Sequence, residues 1–102
     1  MRYDRTWQES RRLTPETLLK REVRRYLGLK GWFTFPILQG LGAMKGIPDI
    51  IACRAGQVLF LECKSVKGRQ SEHQKEFQRM IELHGCRYLL IRSVEDLISA
   101  GL

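Results

Sequence analysis

Residues 46–64 read GIPDIIACRAGQVLFLECK, and the rest of the chain has to be arranged around two apolar runs in this stretch. The runs, 49–53 and 58–64, flank the polar segment Arg54-Ala-Gly-Gln57, a pattern that predicts two strands joined by a tight turn. Strand side chains two apart share a face, so Glu62 and Lys64 stand side by side at the end of the second run. Pairing around the turn at 54–57 sets Asp49 opposite residues near Glu62. Two carboxylates then converge at one end of a sheet.

Upstream, residues 32–37 (WFTFPI) are aromatic and β-branched enough for a strand, and Pro36 places it at a sheet edge or near its own end. Residues 38–48, with three glycines and a proline, form a loop. Thr14, Pro15 and Glu16 read as an N-cap, a first-turn proline and an acid that suits the helix dipole. Leu19, Val23, Tyr26 and Leu27 then share one helical face, and Gly31 stops the helix. Downstream of the polar loop 65–70, Phe77, Met80, Ile81 and His84 are spaced for a helix over 71–84, ended by Gly85. A strand over 86–92 follows, and Ser93 with Asp96 caps a short terminal helix carrying Leu97 and Ile98. The order α-β-β-β-α-β-α predicts an α/β fold, a small mixed β-sheet with helices on its faces. Residues 1–13 read as a basic arm and 14–102 as a single domain.

At 102 residues, 43% hydrophobic and 28% charged, the composition is that of one globular domain. The net charge is +7, and residues 1–30 hold nine Lys/Arg against four Asp/Glu. A basic front of this kind meets polyanions, because each neutralised phosphate releases counterions; its plainer reading is a solubilising surface. Cys53, Cys63 and Cys86 have neither disulfide-framework nor zinc-ligand spacing, which fits a reducing cytoplasm. Residues 1–16 have no apolar export core, and no run approaches the ~20 apolar residues that span a bilayer, so neither export nor membrane insertion is expected.

Adjacent carboxylates repel unless a cation lies between them, and Mg²⁺ or Mn²⁺ takes the hard oxygen ligands they offer. Such an ion acidifies a bound water and neutralises charge on a phosphodiester, with Lys64 beside it to orient the water. The plain alternative makes Glu62 and Lys64 a solvated pair and Asp49 an ordinary turn residue after proline.

Gly-x-Pro-Asp, twelve intervening residues and Glu-x-Lys tip that balance. With GIPDII at 46–51, FLECKS at 60–65 and GRQSEHQ at 68–74, the chain resembles the PD-(D/E)XK nuclease superfamily and, within it, the virus-type replication-repair nuclease (VRR-NUC) family. The resemblance runs from about residue 14 to residue 96. It implies a restriction-endonuclease-like core and a divalent-metal nuclease in which Asp49, Glu62 and the Cys63 carbonyl bind Mg²⁺ or Mn²⁺ and Lys64 acts on water and phosphate. It also implies a first-helix acid, Glu16 or alternatively Glu22. Lys20 stands where that family usually has glutamine. Gln74 carries two readings of equal weight, a capping box with Ser71 and a glutamine reaching the active site.

Other residues read more simply. His73 and His84 are surface and helix-face residues rather than bases, Cys63 is a core thiol rather than a nucleophile, and Trp32, Phe33 and Phe35 favour packing over stacking on bases. Lys20, Arg21, Arg24, Arg25, Lys45, Lys67, Arg69 and Lys75 are candidates to track phosphates, with Arg24 and Arg25 also readable as a solvated face. No base-reading helix is evident, so recognition by shape and backbone is expected. The expected activity is endonucleolytic cutting of branched DNA such as Holliday junctions in replication, repair or recombination. The brevity of the chain suggests a phage setting and a homodimer with two active sites, and a helicase or other replication partner is a further candidate. The rival is a basic nucleic-acid-binding or docking module with lapsed catalysis, against which Asp49, Glu62 and Lys64 all stand intact.

Overall fold

A computed structural model describes residues 13–102. The basic arm, apart from Leu13, lies outside the described residues. Helix α1 (Pro15–Leu29) begins at Thr14, whose hydroxyl accepts from the Thr17 N–H at 3.1 Å. Beyond its last turn Gly31 takes φ +86°, the left-handed conformation that ends helices and that glycine adopts without strain.

Strands β1 (Phe33–Pro36), β2 (Ile50–Arg54) and β3 (Gln57–Cys63) form an antiparallel meander. Helix α2 (Glu72–Leu83) crosses over to β4 (Arg87–Ile91), which runs parallel to β3, and α3 (Val94–Ser99) closes the chain. The sheet order is β1-β2-β3-β4. The expected element order and mixed sheet are both present, with Pro36 at the end of an edge strand.

Two details differ. The β2–β3 turn is the two-residue Ala55-Gly56, with φ +49° and +79°. Two consecutive positive φ values match the right-handed twist of the flanking strands and draw Arg54 and Gln57 into the ladder. At the other end, Asp49 and Lys64 fall just outside the strands, although the Asp49 N–H still donates to the Leu61 carbonyl and the Lys64 N–H to that of Ile91.

Alternation along the strands sorts the two faces. Ile50, Ala52, Leu59, Leu61, Cys63 and Ile91 pack with Leu19, Val23 and Leu27 of α1, Trp32 and Leu97 of α3 in a single core. Fully burying a leucine such as Leu27 contributes about 1.5–3 kcal/mol, so α1 is held mainly by this stripe. The opposite face receives α2 less completely. Phe60 meets Phe77 edge-on at 6.3 Å between ring centres, yet no α2 residue is fully buried. On that same face Phe33, Phe35 and Val58 remain exposed.

Candidate active site

The end of the sheet where β3 stops brings together residues from four elements. The hairpin register pairs Ile50 with Leu61, so Asp49 stands opposite Glu62. Asp49 Oδ2 accepts from the Cys63 N–H at 2.7 Å, which fixes its carboxylate against the β3 backbone. From α1, Lys20 Nζ reaches Asp49 Oδ1 at 3.2 Å. From α2, Gln74 Nε2 donates to both oxygens of Glu62, at 3.1 and 3.2 Å.

Glu62 is 1% exposed and Asp49 8%, an unusual depth for two acids. Burial, followed by the neighbouring Asp49 charge and a hydrogen bond to that carboxyl, pushes Glu62 up to about 8 from an ordinary 4.5. Lys64 opposes this rise and Glu16 adds to it, so both side chains lie within electrostatic reach. Burial also pushes the Cys63 thiol up to about 12, which keeps it protonated and poorly nucleophilic at neutral pH.

Glu16 lies within electrostatic reach of Glu62, and Glu22 lines a shallow depression with Arg25, Tyr26, Leu29 and Val94. Gln74 both caps its own helix and reaches Glu62. Its Oε1 accepts from the Ser71 N–H at 2.8 Å and its own N–H donates to Ser71 Oγ, while its amide nitrogen faces Glu62.

Among the other predicted residues, Lys67 and Arg69 are exposed on the loop beside Lys64, and Arg21 is exposed on α1. Lys75 pairs with Glu72 at 3.3 Å, and Arg24 Nε donates to Thr34 Oγ1 at 3.3 Å. Lys45 lines an apolar groove along α2. His73 is exposed, and His84 Nδ1 bonds the Met80 carbonyl at 2.8 Å, a helix-end contact. Trp32 is core, whereas Phe33 is 67% exposed.

Sequence reasoning missed three supports. Gly46, at φ +81°, lies so close to α2 that a side-chain carbon there would overlap the His73 carbonyl and stand 2.9 Å from the Gln74 nitrogen. Gln39 Nε2 donates to the Ile47 and Pro48 carbonyls, at 3.1 and 3.3 Å, just ahead of Asp49. Arg92 Nη1 donates to the Ser65 and Gly68 carbonyls, at 2.6 and 2.7 Å, which clamps the loop after Lys64. Only Gly46 carried a signal, as a glycine within the Gly-x-Pro-Asp run.

Among the described residues no three His, Cys, Asp or Glu side chains are gathered as a ready-made metal cage. The donor set is instead two buried carboxylates, hard oxygens of the kind Mg²⁺ and Mn²⁺ prefer. Burial, and after it the Asp49 charge, hold Glu62 above its ordinary value, and a divalent cation between the two acids would offset that repulsion, so the pair fits one.

A mixed four-stranded sheet with flanking helices and a Pro-Asp…Glu-x-Lys set at one end defines the PD-(D/E)XK nuclease superfamily. The chain belongs to the archaeal Holliday junction resolvase (Hjc) family, whose model matches residues 17–93. Its fold is similar to that of a solved VRR_NUC domain, with a TM-score of 0.74, 18% identity, and coverage of 85% of this chain and 94% of that one. It is also similar to Hjc from Archaeoglobus fulgidus, a Holliday junction resolvase from an archaeal hyperthermophile, with a TM-score of 0.59, 16% identity, and coverage of 76% and 67%. No curated protein sequence matches. Among the described residues no helix is long and apolar enough to cross a membrane.

Proposed function

We propose that the chain is a divalent-metal-dependent endonuclease that cuts branched DNA, Holliday junctions foremost, as a homodimer. The observation that carries this reading is the pair of buried acids, Asp49 and Glu62, beside Lys64. Burying two carboxylates together is costly, and a cation with a phosphate to act on relieves that cost. Membership of a resolvase family supports the choice of branched DNA.

Asp49 and Glu62 would hold Mg²⁺ or Mn²⁺, with the Cys63 carbonyl and Glu16 completing the set. When bound, the ion supplies Lewis acidity toward the phosphodiester and a more acidic water. The chain's own groups do the rest. The Cys63 N–H and the Gln74 amide fix the two carboxylates, so their oxygens need no reorganisation. Lys64 places an ammonium against the phosphate to orient the attacking water and offset developing charge. Arg21, exposed on α1, and Lys67 and Arg69, exposed on the loop after Lys64, would hold flanking phosphates, which positions the duplex arms without reading bases.

The underpacked face of α2 supports the dimer. Met44, Phe77, Met80 and Ile81 line an open groove of about 470 Å³, and exposed Phe33 and Phe35 extend the apolar area across the sheet. A second copy would cover it and present two centres to a two-fold junction. The reading is tested on a four-way junction, a flap, a single strand and a linear duplex with Mg²⁺ or Mn²⁺. Junction cutting that is lost in Glu62→Ala and Lys64→Ala is expected. A wild type that binds these DNAs and cuts none would make the chain a binding module.

A further inference from the structure

Lys20 sits one helical turn after Glu16, and its ammonium is engaged with Asp49 Oδ1 at 3.2 Å. The other Asp49 oxygen is taken by the Cys63 N–H, so the protein itself meets both oxygens of this carboxylate. Glu62 is treated differently: among the described residues its two oxygens accept from the neutral Gln74 amide and form no ion pair within 4 Å. The direct ammonium contact in the centre therefore falls on Asp49, with Lys64 acting on Glu62 from further away. Lys20 also keeps 37% of its side chain exposed, against 8% for Asp49, so it can withdraw toward water while the aspartate cannot.

We infer that Lys20 is the resident counter-ion of Asp49: it holds the centre together without metal, competes with the incoming cation for that carboxylate, and limits each chain to one divalent ion. The inference rests on the nuclease reading above. Charge counting supports it. Once a bound cation has displaced the Glu62 proton, Glu16, Asp49 and Glu62 carry three negative charges and Lys20 and Lys64 two positive ones, leaving −1. One divalent ion and one phosphodiester bring that sum to zero, whereas two ions would leave +2. An ammonium within a few ångströms of a metal ligand also opposes the cation's approach, and neutralising it strengthens binding by roughly tenfold or more at the effective dielectric of a half-buried site. Lys20 is on this account a positioning residue, acting through Asp49.

The test uses the full chain without DNA, titrated with Mn²⁺ by calorimetry and electron paramagnetic resonance, together with thermal melts in EDTA and in saturating Mn²⁺. The wild type is expected to take one Mn²⁺ per chain. Lys20→Gln and Lys20→Met should bind Mn²⁺ roughly tenfold tighter or more, melt below the wild type in EDTA, and recover the difference in Mn²⁺. Lys20→Arg keeps the charge and should follow the wild type in both measurements, which a merely structural role for the lysine stem would not produce. The inference is overturned if both neutral variants bind Mn²⁺ no more tightly than the wild type, if the wild type takes two ions, or if the neutral variants stay unfolded even in Mn²⁺. A wild type that takes up no Mn²⁺ overturns the proposed metal centre itself, and this inference with it.

Discussion

Replacing Glu62 by glutamine should make the metal-free protein more stable in mildly alkaline solution. Folded Glu62 holds its proton up to about pH 8, whereas a free carboxyl releases it near 4.5. Between those limits the folded state binds a proton that the unfolded state has lost, so stability falls as pH rises through the window and levels off above it. At about 1.4 kcal/mol per pH unit the whole interval costs up to about 5 kcal/mol. Glutamine mimics the protonated acid, because its amide can donate to Asp49 and still accept from Gln74. Glu62→Gln should therefore match the wild type near pH 5 and exceed it by several kcal/mol at pH 8.5. For a domain of about 100 residues that is roughly 10–20 °C in melting temperature. Urea melts in EDTA at pH 5, 6.5, 8 and 9, followed by tryptophan fluorescence, measure the difference. Added Mn²⁺ at pH 8 should restore the wild type far more than the variant. Parallel loss of stability in the two proteins across this window would refute the claim that Glu62 is held protonated.

Three further outcomes follow from the geometry around the site. Gly46→Ala should cost about 2–4 kcal/mol and most nuclease activity, since the added carbon meets the α2 backbone at His73 in a conformation alanine resists; a melt and a junction-cleavage assay check this, and an unchanged melt would show that the contact is not held. Ser71→Ala should lose about 1 kcal/mol of helix stability while cutting continues, whereas Gln74→Ala should lower cutting well beyond its loss of stability; equal losses of activity would make the glutamine a cap alone. Met80→Asp should yield a folded monomer that fails to cut junctions, because Met80 is 38% exposed and outside the core; sedimentation of the two proteins decides it, and a variant that remains dimeric would move the interface elsewhere.

The carboxylate pair was legible because a hairpin with a two-residue turn leaves little freedom of register. Once 49–53 and 58–64 are strands, parity alone sets Asp49 against Glu62. Helix faces were legible for the same reason, as the spacing of Leu19, Val23 and Leu27 shows. How a helix is rotated and slid over the sheet has no such local signature. The reach of Lys20 to Asp49, the electrostatic reach of Glu16 to Glu62, and the clamp of Arg92 on the loop after Lys64 all depend on that placement. Gly46 is intermediate. Its presence is plain in sequence, but the helix backbone it admits lies 27 residues further along the chain.

The two-ended use of Gln74 also constrains what evolution can place there. Glutamate would cap the helix equally well but would bring another negative charge against Glu62. Asparagine is one carbon shorter, and an apolar residue satisfies neither end. Fraying of the first turn of α2 would release the amide from Glu62 at the same moment as it releases the cap. Glu62 and the first turn of α2 are thus coupled through one side chain: a mutation that unwinds that turn outright will disturb the proposed centre although it touches neither carboxylate, whereas Ser71→Ala, which only weakens the cap, leaves the turn and the amide contact formed.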